Sequence, residues 1–414
     1  MKPFRNEAEF EIELFCCGMR LDPSAQVESL LSARTRAGLG SGLDIIIGRR
    51  RKRRHINVPV KEKFVQNSPY RLLKIGHDFV IADDRDPHVR FFAEIPSLPS
   101  WYQKKTSSGK LMSRVGVMQG TYLGIYVGDI CKFWKLTPRS ACKFCTTGVN
   151  VGTNEDTEKK IDDVVETALE AKAESGITFV HLNSGEQEGG GLETAAPYVK
   201  AIKERVGALV GVQVTPTKDL WKYDWLIDLG VDHFSFCYEF HNPEYFAKYC
   251  PGKAEAFGQE TFFRAMEYVS KKMGKGRNSG EIIAGLEPVE DTLAAIDYIT
   301  GAGCFPTVCI FRPLVGAELE DNPSPRYDDM VAVMRRVYES CMRNSIPVGL
   351  APNIEVSLIV NPDDALELVP FSFRKMRYET NRKMMKLLAY PLFVSKMRKR
   401  KVSADAYDPS KYKR

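Results

Sequence analysis

Three cysteines, Cys131, Cys142 and Cys145, constrain this 414-residue chain more than any other feature. Their spacing is Cys-x10-Cys-x2-Cys, and no fourth Cys or His stands nearby in the sequence. Four ligands would indicate a closed structural zinc site. Three thiolates instead suit a [4Fe–4S] cluster that leaves one iron open to another ligand. The alternatives are a zinc site completed by a distant residue and three unrelated buried thiols.

The composition indicates an ordinary globular protein. Hydrophobic residues make up 43% and charged residues 27% of the chain, and no apolar run approaches the length that spans a bilayer. The first ten residues lack an apolar signal core, and the ten cysteines are mostly scattered; both favour a reducing, cytoplasmic location. The net charge of +6 mildly favours an anionic substrate or surface and gives no clear signal for nucleic acid.

Residues 1–112 are predicted to form an accessory region that is mostly β. Alternating segments at residues 10–16, 55–60 and 79–82 predict strands. Residues 49–54 form a dense basic run, which is either a solvated loop or a contact for an anionic partner. The adjacent Cys16 and Cys17 are interpreted as structural thiols.

From residue 113 to residue 365 the pattern alternates between strand and helix. This alternation predicts parallel strands with helices outside, closed by right-handed crossovers into a partial or full (β/α) barrel of the TIM type. Strands are expected at residues 117–127, 178–182, 208–214, 231–238, 281–286, 306–311 and, as a seventh, 348–350 continuing into 354–360. Helices are expected at residues 156–175, 194–206, 220–229, 259–273, 288–301 and 327–344.

In such a barrel the chemistry lies at the carboxyl ends of the strands, where several candidate residues fall. The three-cysteine loop follows the first strand. Ser184-Gly185-Glu186 follows the second, and glycine there lets the backbone approach a ligand closely. Glu239 ends the fourth strand and shares a face with Cys237. Arg312 follows the sixth strand and could pair with a carboxylate.

These features together resemble the radical S-adenosylmethionine (SAM) superfamily over residues 115–320, and the resemblance extends to about residue 360. Phe144 stands directly before the last cysteine, as an aromatic residue does in that family. Ser184-Gly185-Glu186 resembles the family's Gly-Gly-Glu motif, with Ser184 in place of the first glycine. Residues 280–287 resemble its Gly-x-Ile-x-Gly-x-x-Glu motif, with Ala284 in place of a glycine. The first cysteine gap of ten residues is longer than the usual three.

The resemblance implies a fold, two cofactors and a set of binding residues. The three cysteines would hold a [4Fe–4S] cluster, and SAM would chelate the open iron. The residues implied to bind SAM are Phe144, Ser184, Gly185, Glu186, Gln213, Glu239 and Glu287. Cys237 and Arg312 are the candidate catalytic residues.

The reaction implied is reductive cleavage of SAM to a 5′-deoxyadenosyl radical, which abstracts hydrogen from a small organic substrate. An electron donor such as ferredoxin or flavodoxin would supply the electron. A sulfur- or methyl-transferring enzyme or a cofactor maturase of the same superfamily is an alternative. A non-catalytic Fe–S or zinc-binding protein is the alternative from another class.

The remaining cysteines give no prediction of a second cluster. Cys250, Cys304 and Cys341 are isolated in the sequence, and lone strand cysteines are usually small core residues. Cys309 and Arg312 are out of phase, so one of them is expected to point away from the barrel interior. Cys237 is a candidate radical relay or substrate ligand.

Residues 366–414 are predicted to be a basic helical extension with a tail. Residues 371–401 mix basic residues with Met, Leu and aromatic residues. Such a segment packs on its parent fold or lies on an anionic membrane or partner. Pro391 is expected to interrupt the helix, and residues 402–414 are expected to be disordered.

Overall fold

The computed structural model describes residues 6–32, 42–48, 53–136, 139–403, 406 and 408–413. Its helices are α1 (Glu7–Cys17), α2 (Glu28–Ser32), α3 (Met112–Val115), α4 (Lys132–Lys135), α5 (Thr147–Asn150), α6 (Ile161–Ser175), α7 (Gly191–Ala201), α8 (Trp221–Leu229), α9 (Pro243–Tyr249), α10 (Pro251–Ala256), α11 (Gly258–Met273), α12 (Val289–Gly301), α13 (Tyr327–Asn344) and α14 (Phe373–Lys396). Its strands are β1 (Arg20–Leu21), β2 (Leu43–Ile47), β3 (Arg54–Val58), β4 (Tyr70–Ile75), β5 (Asp78–Asp83), β6 (Asp86–Ala93), β7 (Val117–Gln119), β8 (Tyr122–Tyr126), β9 (Phe179–Asn183), β10 (Leu209–Gln213), β11 (His233–Glu239), β12 (Asn278–Ala284) and β13 (Phe305–Ile310).

A seven-stranded sheet organises the molecule, with the order β13-β12-β11-β10-β9-β8-β7. The six strands β8 to β13 are parallel neighbours in sequence order. Helices α6, α7, α8, α11 and α12 connect them, as the alternating pattern predicts. The sheet curls around a cavity as a partial barrel, which confirms the predicted fold class.

The two edges of the barrel differ from the sequence prediction. Residues 117–127 form a hairpin rather than one strand, because the chain reverses at Gly120, whose φ is +73°. A Cβ at Gly120 would lie 2.2 Å from the carbonyl oxygen of Glu355, so residue 355 packs directly on this turn. The predicted seventh strand at 348–350 and 354–360 is also wrong, since these described residues form turns and irregular chain.

The N-terminal region contains four strands in one small sheet (β1, β4, β5, β6) and a separate β2–β3 hairpin. The predictions of strands near residues 55–60 and 79–82 are confirmed. The prediction of a strand at 10–16 is wrong, because these residues lie in α1. One continuous hydrophobic core includes side chains from this region and from the barrel. The boundaries at residues 112 and 365 stay a prediction.

The basic run at 49–54 lies partly outside the described residues. Of its described members, Arg53 pairs with Glu94 at 2.8 Å on the surface. Arg54 is only 3% exposed in its side chain and pairs with the buried Glu11 at 2.7 Å. Arg54 is therefore a core residue and not part of a solvated loop.

The C-terminal residues also differ from expectation. Helix α14 continues through Pro391 to Lys396. The predicted disorder of 402–414 is wrong for its described residues: Val402 is buried, the carbonyl of Ala406 accepts a hydrogen bond from the Trp225 indole at 2.8 Å, and Tyr412 donates to Asp228 at 2.7 Å. Among the described helices, none has both the length and the apolar character needed to cross a membrane.

Candidate cluster and cofactor site

The inner face of the half-barrel encloses a cavity of about 530 Å³. The three cysteines line this cavity at the carboxyl ends of the strands, together with Glu186 and Glu239. The cavity continues along the barrel axis past the strand interiors to residues at the opposite end. That far wall is largely apolar and includes Tyr122, Phe179, Leu209, Phe305, Ile354, Val356, Leu392 and Phe393.

The loops after β8 and β9 are held against each other at the cysteine end. The Lys132 amide donates to the carbonyl of Glu186 at 2.8 Å, and the Gly185 amide donates to the Tyr126 hydroxyl at 3.2 Å. A Cβ at Gly185 would lie 2.4 Å from the Cβ of Cys131 and 2.8 Å from its Sγ. Only glycine therefore allows the second motif to lie against the first cysteine.

The long cysteine gap forms a compact insert. Its first residues make the short helix α4, and the ring of Phe133 fills the space where Gly252 has no side chain. The ring of Trp134 likewise occupies the space above Gly148, with the guanidinium of Arg139 at 4.3 Å from the ring centroid. The insert thus covers one side of the cysteine loop. Pro138, which also belongs to this insert, lies outside the described residues.

Electrostatics distinguishes the three thiols. Burial raises the pKa of Cys131, and it raises the pKa of Cys145 to about 11. A hydrogen bond from the Cys250 thiol lowers the pKa of Cys142. Cys250 precedes α10 and is completely buried, so this thiol, which is isolated in the sequence, lies against Cys142 in the fold.

The donor set fits a cluster with several irons. Among the described residues, no group of three or more His, Cys, Asp or Glu side chains is arranged to hold a single metal ion. The three thiols instead line the wall of one cavity, where each could bind a different iron. Because Gly185 has no Cβ, the loop that carries Glu186 lies directly against Cys131.

Glu186 lies in the cavity wall next to the cysteines. One of its carboxylate oxygens accepts a hydrogen bond from the hydroxyl of Thr215 at 2.5 Å. Ser184 lies beside it, with its amide bonded to the carbonyl of Gln213 at 3.0 Å. The ring of Phe144 lines the same region and meets Phe240 edge to face at 6.0 Å. The structure thus brings the motif residues of two loops to one end of the cavity.

Glu239 ends β11 in a left-handed backbone conformation, with φ of +69°. Its carboxylate pairs with the ammonium of Lys253 at 2.6 Å, and the same ammonium donates to the carbonyl of Cys237 at 2.8 Å. Burial lowers the pKa of Lys253, but Glu239 and nearby thiols outweigh burial and the net shift is upward. Lys253 therefore stays charged and fixes the carboxylate in the wall.

A second polar group occupies the middle of the cavity. The side-chain amide of Gln213 donates to the Sγ of Cys237 at 2.8 Å and to Glu281 at 3.0 Å. The Cys237 thiol donates to the same carboxylate at 3.0 Å. Burial raises the pKa of Glu281 to about 6 and raises that of Cys237 well above its usual range. Cys237 is thus a protonated thiol in the cavity wall.

Arg312 and Cys309 both line the cavity, so the prediction that one points away is wrong. The strand β13 ends at Ile310, and strand alternation no longer applies at residue 312. The guanidinium of Arg312 donates to the side-chain oxygen of Asn57 at 2.9 Å and also to the Asn57 carbonyl. Arg312 therefore links the barrel to the N-terminal hairpin.

Glu287 is not among the residues that line the cavity. Its carboxylate accepts hydrogen bonds from the amides of His241 and Asn242, both at 2.9 Å. Burial raises its pKa to about 7. Glu287 therefore holds the loop after β11, and the direct SAM contact that the resemblance implies stays a prediction.

Sequence reasoning missed several polar residues of this site, among them Thr215, Cys250, Lys253 and Glu281. Glu281 could have been found, because Ser279, Glu281 and Ile283 alternate along β12 and all line the cavity. Thr215, Cys250 and Lys253 lie in connections after β10 and β11, and no sequence periodicity predicts where such loops turn.

No protein-family model matches the chain. Over 109 residues the chain is 30% identical to bacteriochlorophyllide c C-7(1)-hydroxylase of Chlorobaculum limnaeum, an alignment that spans 26% of this chain and 27% of that protein. The curated relative is thus matched over about a quarter of its length.

Several solved structures are similar at low identity. The FeFe-hydrogenase maturase HydG from Carboxydothermus hydrogenoformans is 18% identical, with 52% of this chain and 51% of that chain covered and a TM-score of 0.41. A radical SAM methyltransferase from Sphaerobacter thermophilus is 12% identical, with 67% and 76% covered and a TM-score of 0.41. Methylornithine synthase is 16% identical, with 64% and 81% covered and a TM-score of 0.40. These scores are too low to support a function.

The curled parallel sheet with three cysteines and a Ser-Gly-Glu loop at its carboxyl end defines an α/β half-barrel protein built around a cavity.

Proposed function

We propose that the protein reductively cleaves SAM and uses the resulting 5′-deoxyadenosyl radical to abstract hydrogen from a small organic substrate. The observation that carries this proposal is the shared cavity wall of Cys131, Cys142, Cys145 and Glu186, with Gly185 packed against Cys131. A cavity that also extends far into the barrel has room for a substrate beyond the cofactor.

The cysteine thiolates would hold a [4Fe–4S] cluster, which supplies the single electron that breaks the sulfonium C–S bond of SAM. Glu186 would accept hydrogen bonds from the SAM ammonium group, and Thr215 fixes the orientation of its carboxylate. Glu239, held by Lys253, would bind the two ribose hydroxyls. The insert around Phe133 and Trp134 excludes water from the cysteine side.

Deeper in the barrel, Gln213, Cys237 and Glu281 would bind a polar group of the substrate. Their hydrogen bonds fix the positions of these side chains before substrate enters, which lowers the entropic cost of orienting the reacting C–H bond. The curated relative is named a hydroxylase, and hydroxylation of a carbon also requires that a C–H bond be broken. An external one-electron donor such as ferredoxin or flavodoxin completes the proposed reaction.

Anaerobic reconstitution with iron and sulfide tests the proposal. We expect the brown absorbance of a [4Fe–4S] cluster and formation of 5′-deoxyadenosine from SAM after reduction with dithionite. A Cys142→Ala variant should lose the cluster and the product, whereas Cys341→Ala, at a buried thiol outside the cavity lining, should retain both. Purified protein with one zinc and no iron would contradict the proposal and favour a non-catalytic site.

The role of Glu186 has its own test. Glu186→Ala should weaken SAM binding at least tenfold while the iron content stays unchanged, because a charged hydrogen bond contributes roughly 1.5–3 kcal/mol. The matched control is Glu188→Ala, since Glu188 is exposed and does not line the cavity. Equal SAM affinities of the two variants by calorimetry would contradict the assignment.

A further inference from the structure

Helix α14 is attached to the barrel along one side only. Of its 24 residues, only Tyr378 is buried, and its hydroxyl donates to the carbonyl of Ile346 at 2.6 Å. Near the end of the helix, Phe393 packs against a cluster of Tyr122, Phe179 and Leu209. The ammonium of Lys396 pairs with Asp232 at 2.9 Å. These contacts fix which face of the helix points away from the protein.

The outward face of α14 is apolar. We define the apolar stripe as Phe373, Met376, Met384, Leu387 and Leu388, whose exposed fractions are 80%, 50%, 53%, 77% and 73%. At about 100° per residue, Phe373, Met376, Met384 and Leu387 lie roughly 120–180° from Tyr378 around the helix, and Leu388 lies about 80° from it at the edge of the stripe. Tyr390 and Leu392 flank the stripe and are also more than half exposed. An ordinary surface helix has the reverse arrangement, with its apolar side toward the core.

Positive charge accompanies the stripe. Helix α14 contains seven basic residues and a single acidic one, Glu379. Glu379 is already paired with Arg382 at 2.8 Å. Arg374, Arg377, Lys383 and Lys386 are exposed, and the basic run continues through residues 398–401. An exposed apolar stripe bordered by basic side chains is the pattern of a helix that lies in the interface of an anionic bilayer.

The last turns of α14 lie at one end of the cavity. Leu392, Phe393 and Lys396 come from the last turns of α14, and all three line the same cavity that the cluster cysteines line at its other end. The cavity wall near α14 includes the apolar side chains of Phe179, Leu209 and Phe305 and also the polar side chains of His181, Asp232 and His233. A molecule that entered beside α14 would meet these apolar side chains and the two imidazoles before it reached Glu281 and Cys237.

We propose that α14 seats the protein on an anionic lipid surface, and that the substrate is a lipophilic molecule that enters the cavity beside this helix. The choice of a lipid over a protein partner rests on the combination of basic border and apolar stripe, since anionic headgroups pair with the border while the stripe enters the acyl boundary. The statement about the substrate rests on the proposed function; the docking of α14 does not.

Cosedimentation of the reconstituted full chain with vesicles tests the docking. We expect binding to phosphatidylglycerol–phosphatidylcholine vesicles that weakens as salt rises, and much weaker binding to pure phosphatidylcholine. Leu387→Glu should reduce binding at least tenfold. Ile75→Glu should not, because Ile75 is 50% exposed on the distant strand β4. Wild-type protein that stays in the supernatant at low salt, or a Leu387→Glu variant that binds as tightly, would overturn the proposal.

Charge and self-association are tested separately. Lys383→Gln combined with Lys386→Gln should weaken binding to the anionic vesicles by about fivefold per charge, without an effect on phosphatidylcholine. Light scattering of lipid-free protein gives a further arm. A wild-type dimer that Leu387→Glu converts to monomer would show that a second copy covers the stripe, and would overturn the proposal.

The substrate class is tested with diphenylhexatriene as an apolar probe. Saturable fluorescence enhancement by wild-type protein, reduced at least tenfold in Leu392→Glu, would support a lipophilic occupant, because Leu392 lines the cavity and its exposure lets the variant fold. A probe that does not bind, or that binds Leu392→Glu equally, would overturn this part. Formation of 5′-deoxyadenosine without vesicles is measured in parallel. If it is absent, the proposed function fails, while vesicle and probe binding still decide the present inference.

Discussion

At Gly185 the main chain lies so close to Cys131 that any side chain would displace one of them. We predict that Gly185→Ala reconstitutes with a several-fold lower iron content, because the added methyl group would overlap the Cβ and Sγ of Cys131. Iron and sulfide analysis of the anaerobic protein measures this. Gly301→Ala is the matched control, since a Cβ there meets nothing within 4 Å. Equal iron in the two variants would contradict the packing argument.

Glu287 is a second residue whose surroundings predict a measurable effect, in this case on how the stability of the protein depends on pH. Burial raises its pKa to about 7 from an ordinary value of 4.5. The stability that its protonated form contributes is fully present below pH 4.5 and is lost as pH rises through 7. We therefore predict that wild type loses about 2 kcal/mol relative to Glu287→Gln between pH 5.5 and 8.

Denaturant unfolding of wild type and Glu287→Gln at the two pH values measures this difference. Because a glutamine oxygen can still accept the amides of His241 and Asn242, the variant should fold and should keep its SAM affinity. A pH-independent difference would show that Glu287 is already ionised in the folded protein. A large loss of SAM affinity would favour the direct contact implied by the family resemblance.

Among the elements, α1 shows why alternation misled the sequence prediction. Residues 10–16 alternate polar and apolar side chains, and Glu11 and Glu13 would face solvent in a half-buried strand. Both carboxylates are instead buried in a helix, where Arg54 and Arg85 pair with them at 2.7 Å and 2.9 Å. A charge pattern indicates exposure only where no distant partner neutralises it, and a partner 43 residues away is invisible to local periodicity.

The packing of α1 on the β2–β3 hairpin depends on this buried pair. We predict that Arg54→Met destabilises the protein by about 3–5 kcal/mol, because Asp364 and Glu367 would lose their shared cation and Glu11, whose pKa burial already raises to about 8, would be left as a buried carboxyl without a partner. The double variant Arg54→Met with Glu11→Leu should recover most of that loss. Thermal unfolding of the three proteins measures the coupling. If Arg54→Met were as stable as wild type, the prediction would be contradicted. Neither the pair with Glu11 nor the contacts of Arg54 with Asp364 and Glu367 would then contribute to stability.

At the scale of the whole molecule, a ligand that binds only the folded protein should raise its free energy of unfolding. We predict that SAM at a hundred times its Kd stabilises the reconstituted protein by about 2.7 kcal/mol, since a ligand that binds only the folded state shifts the unfolding equilibrium by mass action. Thermal scans with and without SAM measure the shift. Cys145→Ala should show none, and an equal shift in that variant would mean that SAM binds independently of the cluster.

The sequence could predict the order of strands and helices because each βα unit carries its own local pattern, as in α6 with β9 or α11 with β12. It could also predict that the cysteine loop and residues 184–186 lie at one end of the barrel. It could not predict that Cys250 and Lys253 reach Cys142 and Glu239, because that contact depends on how α9 and α10 turn after β11. Nor could it predict that residues 354–360 close the barrel without forming a strand.

The open side of the half-barrel is closed by parts of the chain that contribute nothing to the cysteine loop. Residues 347–363 line the cavity between the edge strands, and Asn57 of the N-terminal hairpin holds Arg312 there. The cysteine loop and the wall that closes the cavity are thus encoded in separate stretches of sequence. If the proposed radical chemistry takes place at the cysteine loop, mutations in the closing segment can change which molecules fit while that chemistry stays intact, and new substrates can evolve without a new reaction.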